Sequence, residues 1–136
     1  MKIRSGIDMV RIDRLENIID RDKRSFIDRV LTPDEQRYVF ENAGSDKRTA
    51  ERFAARFAAK EAAAKAIGTG LMTDGIGFTD FEVTVDELGA PEMILHGRAL
   101  ERAKELGMIS ISISLTHEGD YAAAVCSILT DEEDKR

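Results

Sequence analysis

The chain has 136 residues, 43% of them hydrophobic and 34% charged, with a formal net charge of −6. That composition suits one soluble globular domain with a proper core, and its acidic balance argues against general nucleic-acid binding. No apolar run has the length of a membrane span, and the start MKIRSGIDMVRID places charges where a signal peptide needs its apolar segment, so a cytoplasmic protein without membrane contact is expected. Cys126 is the single cysteine, which leaves no intrachain disulfide and no cysteine-rich zinc site.

Taken in order, Lys2 to Val10 alternates loosely and reads as a short strand. Asp8 is its odd residue, since Asp is a poor strand former, and Gly6 two residues earlier permits close approach of a backbone or a ligand. Arg11 to Val30 is helical in pattern with a break near Asp20 to Asp22; its polar side carries Arg14, Arg21 and Arg24, nearly balanced by acids, as on a solvated mixed-charge face. Thr32-Pro33-Asp34-Glu35 has the residues of a helix start, with Thr as N-cap, Pro at the first position and Glu35 three residues on. The spacing predicts a helix to about Asn42, followed by a polar connection over Ala43 to Lys47.

The stretch TAERFAARFAAKEAAAKAIGTG then predicts the central helix, from about Ala50 to Ile67, ended by Gly68 in a left-handed position. Phe53, Phe57, Glu61 and Lys65 form one row along it, so a carboxylate continues an apolar stripe. Taken alone, Glu61 and Lys65 have the spacing of an ordinary solvated helix pair. If Glu61 is buried instead, it needs a cation: Lys65, an arginine from elsewhere, or a metal ion.

A Gly- and Asp-rich loop follows, longer than a default connection. Phe78 to Asp86 and Glu92 to His96 read as a hairpin around Glu87 to Pro91, Arg98 to Leu106 as a short helix, and Ile109 to Leu115 and Tyr121 to Leu129 as two further strands. The last is apolar on both faces, as a central strand would be. His117 and Glu118 fall in the polar link between these strands, where a surface histidine in a turn is the ordinary case. Residues 1–130 are read as one domain and 131–136 as a charged, frayed tail. The pattern is that of an α+β domain with two carboxylates in odd places.

GIDMVRIDR (Gly6 to Arg14) and RFAAKEAAAKAIGTG (Arg56 to Gly70) together resemble the two signature motifs of the holo-[acyl-carrier-protein] synthases, the small single-unit bacterial 4'-phosphopantetheinyl transferases. The hairpin turn and the final Tyr-Ala strand match as well, so the resemblance covers nearly the whole chain. It implies a small, largely antiparallel sheet packed on a long central helix, in an enzyme that moves the phosphopantetheine arm of coenzyme A onto a serine of apo acyl carrier protein. Adenosine 3',5'-bisphosphate leaves, and the product serves fatty acid biosynthesis. Asp8 and Glu61 match the family's Mg²⁺ ligands, with Glu61, or a metal-bound water it orients, as the base for the serine proton. Lys65 would neutralise the leaving phosphates, and Arg48, Lys65 and Gly68 would line the coenzyme pocket. Arg14, Arg21 and Arg24 match the docking arginines for the acidic carrier, and a homotrimer with sites shared between subunits is implied.

Two positions depart from that pattern as read: Leu115, taken to stand where many members carry histidine, receives no histidine role, and Ala64 replaces a serine found in some relatives. Two other readings stay open: a non-catalytic carrier-protein or nucleotide-binding module on the same fold, and a broader-range transferase, disfavoured because those enzymes consist of two tandem units.

Overall fold

The computed structural model describes residues 1–41 and 43–132. Among the described residues the chain runs β1 (Lys2–Arg11), α1 (Ile12–Asp20), α2 (Arg24–Val30), α3 (Pro33–Phe40), α4 (Asp46–Ala66), β2 (Phe81–Val85), β3 (Pro91–Leu95), α5 (Gly97–Glu105), β4 (Met108–Glu118) and β5 (Tyr121–Thr130). The strands form two antiparallel sheets, one ordered β1-β5-β4 and one the hairpin β2-β3. This is the expected α+β class, and β5, apolar on both faces, is the middle strand.

Helix α4 is buried along most of its circumference, which its alanines make possible. Small side chains let β1 come very close: a Cβ at Gly6 would overlap the Ala62 carbonyl, so only glycine fits there. Asp8, two residues on and on the same face of β1, is thereby delivered to the same helix. On its other side α4 meets an aromatic cluster, with Phe26 at 6.4 Å from Phe53 and 6.2 Å from Phe57, and Phe78 at 5.4 Å from Phe57 (ring centroids).

Several boundaries differ from expectation. Helix α4 begins at Asp46, four residues before the expected Ala50, because the Ser45 hydroxyl accepts from the Arg48 N–H at 3.1 Å and Asp46 stands in the first turn. The residues read as a polar connection are thus partly the helix start. Helix α3 has its capping box at Thr32 and Glu35 and ends at Phe40; Asn42 lies outside the described residues. The segment expected to open a strand at Phe78 first makes a short 3-10 turn, Phe78–Asp80.

Strand β4 continues through His117 to Glu118, leaving only Gly119 and Asp120 as its turn into β5, with Gly119 at φ 59°. His117 is therefore a strand residue paired with Ala122, not a turn residue. The expected frayed tail starts bonded: the Asp131 N–H donates to Gly107 O at 3.0 Å and the Thr130 hydroxyl to Glu132 Oε2 at 2.7 Å. Residues 133–136 of that tail lie outside the described residues.

Candidate active site

The row Phe53, Phe57, Glu61, Lys65 climbs out of the core along α4. Both phenylalanines are buried, Glu61 is half-buried and Lys65 is exposed. At the level where the row surfaces, Asp8 arrives from β1. The Lys65 ammonium lies 3.3 Å from Asp8 Oδ1 and donates to Ile7 O at 3.0 Å. Lys65 therefore pairs with Asp8 and not with Glu61, its i−4 neighbour, because β1 brings a closer acceptor.

Among the described residues Glu61 forms no ion pair and no side-chain hydrogen bond. Burial raises its carboxyl above the ordinary carboxylate value and the Asp8 charge raises it further, while Lys65 and Arg14 lower it without cancelling those effects. Two carboxylates thus share a rim, and the half-buried Glu61 has no partner of its own there among the described residues. That donor set fits Mg²⁺, which takes one or two protein carboxylates and completes its octahedron with phosphate oxygens and water. Among the described residues no group of three metal-ligating side chains comes together.

A cavity of about 450 Å³ lies elsewhere, over the N-terminal half of α4. Arg48, Arg52 and Arg56, spaced by four residues on one side of the helix, line it together with His117 from β4. His117 Nδ1 is 3.1 Å from Glu51 Oε2. Arg56 is only 5% exposed; its guanidinium carbon stacks 4.1 Å from the Tyr38 ring centroid, and its Nε has no hydrogen-bond partner among the described residues. Burial pushes its pKa down, against the raising influence of Tyr38 and Glu35. Arg56 thus adds a largely buried positive charge to the wall of a cavity that Arg48 and Arg52 also line.

These two constellations occupy different stretches of α4. Arg48 stands seventeen residues before Lys65 on α4, which is ~25 Å along the axis at 1.5 Å per residue. Arg56 precedes Glu61 by five residues, so their side chains point ~140° apart around the helix. Of the residues expected to line the coenzyme pocket, Lys65 and Gly68 stand at the carboxylate end of α4 and Arg48 at the arginine cavity. Sequence reasoning did not single out Arg52 or Arg56, and it weighed His117 as a turn histidine that could act as an acid or base. The four-residue spacing of the arginines was the available signal for the first two.

Of the three expected docking arginines, Arg14 is nearest the carboxylates, its guanidinium carbon 5.1 Å from the Phe57 ring centroid. Arg21 and Arg24 are exposed on the neighbouring turn and on α2, where Arg24 reaches Asp28 at 3.4 Å and Gln36 Oε1 at 2.6 Å.

The model of the 4'-phosphopantetheinyl transferase superfamily matches residues 4–126, a span that includes Asp8, the whole of α4 and His117. The chain belongs to that superfamily. It is 44% identical over 119 residues to the holo-[acyl-carrier-protein] synthase of Edwardsiella ictaluri, covering 88% of this chain and 90% of that one. With the holo-[acyl-carrier-protein] synthase of Geotalea daltonii it shares 41% identity over 121 residues, 89% of this chain and 93% of the other. Among solved structures, the Helicobacter pylori holo-[acyl-carrier-protein] synthase in complex with coenzyme A superposes with a TM-score of 0.77 at 29% identity, over 92% of this chain and 99% of that one. No described helix is long and apolar enough to cross a membrane.

Proposed function

We propose that this protein is a holo-[acyl-carrier-protein] synthase, which transfers the 4'-phosphopantetheine arm of coenzyme A to a serine of apo acyl carrier protein in the cytoplasm, for fatty acid biosynthesis. The observation that carries the proposal is the meeting of Asp8 and the unpaired, half-buried Glu61 beside Lys65, in a chain whose structural relative from Helicobacter pylori was solved with coenzyme A. In the reaction the serine oxygen attacks the phosphorus that bears the pantetheine arm. The bond from that phosphorus to the bridging oxygen breaks, and adenosine 3',5'-bisphosphate leaves.

Glu61 is the base that accepts the serine proton; a carboxyl held above its ordinary value suits that role better than a free one. Lys65 meets the negative charge that grows on the leaving phosphate. Asp8 and Glu61 would hold Mg²⁺, which when bound neutralises the pyrophosphate oxygens. Arg14, with Arg21 and Arg24 beyond it, forms the landing surface for the acidic carrier, since arginine forks pair with carboxylates.

The second half of the coenzyme site is assigned to a neighbouring subunit. The arginine cavity has the charge to receive the adenosine bisphosphate end, and its Arg48 stands ~25 Å along α4 from Lys65 of the same chain. Self-association is supported by the outward face of the three-stranded sheet. From the row Ile3, Leu129, Ser110 to the row Met9, Ala123, Thr116 that face carries no charge, and Ile3, Ile7 and Met9 are 64–71% exposed on it. A homotrimer would cover this face and bring one subunit's arginines to the next subunit's carboxylates.

The test is intact mass of apo acyl carrier protein after incubation with this protein and coenzyme A, with Mg²⁺ or with a chelator. Gain of one phosphopantetheine arm only with metal is the expected result. No gain on several apo carriers, from a folded protein that binds coenzyme A, would leave a non-catalytic binding module.

A further inference from the structure

Tyr38 of α3 stands where two of the cavity's arginines converge. The guanidinium carbon of Arg56 lies 4.1 Å from the centroid of its ring, and that of Arg52 4.7 Å. The backbone of the same residue takes part, since Arg52 Nη1 donates to Tyr38 O at 2.8 Å and to Glu41 O at 3.4 Å. Tyr38, Arg48, Arg52 and Arg56 all line the cavity. Among the described residues none of these three arginines forms an ion pair. Glu51, the carboxylate on the cavity wall, lies instead 3.1 Å from His117 Nδ1.

Like charges one turn apart on a helix repel each other, and arginine is a long side chain with many rotamers to lose. A carboxylate would hold such a pair in place but would also neutralise it. An aromatic face attracts the cations through its quadrupole and leaves their charge standing. Docking α3 on α4 does not require this arrangement. That contact already has the Lys60 and Glu35 pair at 2.7 Å and the Phe40 ring edge-on to Phe53, with centroids 6.4 Å apart.

We propose that Tyr38 is a positioning residue that holds Arg52 and Arg56 over the cavity, still uncompensated, for the phosphates at the adenosine 3',5'-bisphosphate end of coenzyme A. Contact with the ring consumes none of the hydrogen bonds through which a guanidinium binds phosphate, and Arg56 Nε has no partner among the described residues. Because the arginines are ordered before the ligand arrives, binding does not have to order them. Helix α3 thereby acts on affinity for the coenzyme without touching the reacting atoms. This proposal rests on the reading above of the arginine cavity as the receiver of the adenosine bisphosphate end.

The experiment is calorimetric titration of adenosine 3',5'-bisphosphate into the full-length protein, for the wild type, Tyr38→Phe and Tyr38→Leu, joined to turnover assays with coenzyme A and apo acyl carrier protein. Tyr38→Leu is expected to bind the bisphosphate about tenfold more weakly, and Tyr38→Phe, which keeps the ring, to stay within about twofold of the wild type. The Michaelis constant for coenzyme A should rise with Tyr38→Leu while kcat and the Michaelis constant for the carrier stay unchanged, a split that a general loosening of the fold would not produce. Should Tyr38→Leu fail to fold, Tyr38→Met replaces it, filling the site without an aromatic face. If the folded Leu or Met variant binds the bisphosphate as tightly as the wild type, Tyr38 only packs α3 on α4 and this proposal falls alone. Equal weakening by Tyr38→Phe would also overturn it, because the hydroxyl and not the ring would then be at work. If the wild type does not bind the bisphosphate, the reading of the cavity falls with it.

Discussion

Lys60 and Lys65 lie five residues apart on α4, and each is paired with a carboxylate from another element. Lys60 is 0% exposed, and its ammonium meets Glu35 Oε1 at 2.7 Å, Phe81 O at 2.5 Å and Phe78 O at 3.2 Å, one acceptor for each of its three protons. The other Glu35 oxygen accepts from the Val83 N–H at 2.9 Å. Burial pulls the Lys60 pKa down and Glu35 pulls it back up. At the second pair Lys65 is 56% exposed, its contact to Asp8 is 3.3 Å, and Glu61 beside it has no partner. Neighbouring residues 60 and 61 therefore have opposite assignments. The cluster with every donor and acceptor matched builds the fold, by joining α3, α4 and β2; the cluster that leaves Glu61 unpaired among the described residues is the one proposed for the chemistry.

If that contrast is right, breaking the unsatisfied cluster should cost activity and not stability. Glu61→Gln and Asp8→Asn are each expected to lower transfer to the carrier by ~1,000-fold or more, about 4 kcal/mol of transition-state stabilisation, with an unchanged circular dichroism spectrum. A Glu61→Gln enzyme retaining a tenth of the wild-type rate would remove Glu61 from the role of base.

Breaking the satisfied cluster should do the reverse. Lys60→Met leaves Glu35 buried and unpaired, and urea unfolding should show a loss of about 3–5 kcal/mol. Adding Glu35→Leu should recover much of it, because the uncompensated charge is then gone. A loss under ~1 kcal/mol for Lys60→Met would show that the pair does not hold the fold.

A smaller effect is expected at the landing surface. Reversing Arg14 and Arg24 to Glu should raise the Michaelis constant for the carrier about tenfold, leave that for coenzyme A unchanged, and flatten the salt dependence of the carrier reaction. Equal rises for both substrates would argue against docking.

The subtlest prediction concerns the cost of keeping Glu61. An acid whose folded pKa is raised destabilises the fold when ionised, at pH values above that pKa, and ceases to do so as pH falls below its unfolded value, ordinarily 4.5. Without metal, Glu61→Gln should therefore melt at a higher temperature than the wild type at pH 7. The difference should shrink on acidification toward pH 4.5. A lower melting temperature for the variant at pH 7 would contradict the raised pKa.

The sequence made the carboxylate end legible because its signal is local: one helical row carries Phe53, Phe57, Glu61 and Lys65, and Gly6 beside Asp8 marks a close approach. It did not reveal that Lys65 serves Asp8, since that pairing depends on β1 lying against α4. The burial of Arg56 under Tyr38 is a tertiary effect that no local pattern announces. His117 was misplaced for a different reason. Thr116 to Asp120 is polar throughout, whereas pairing with Ala122 and Tyr121 carries the strand through to Glu118. Similarly, Ser45 and Asp46 were read as linker, although a serine followed by an acid is also how a helix begins.

The central claim is that one reaction centre takes its carboxylates from one copy and its arginines from another, and subunit mixing tests it directly. Glu61→Gln and the double variant Arg48→Ala/Arg56→Gln, each nearly inactive alone, would be unfolded, mixed in equal amounts and refolded together. Transfer activity should then return toward roughly a quarter of the wild-type sites, the share in which an intact carboxylate half meets an intact arginine half in a randomly mixed ring. A refolded mixture no more active than its two components would place both halves in a single chain and contradict the account.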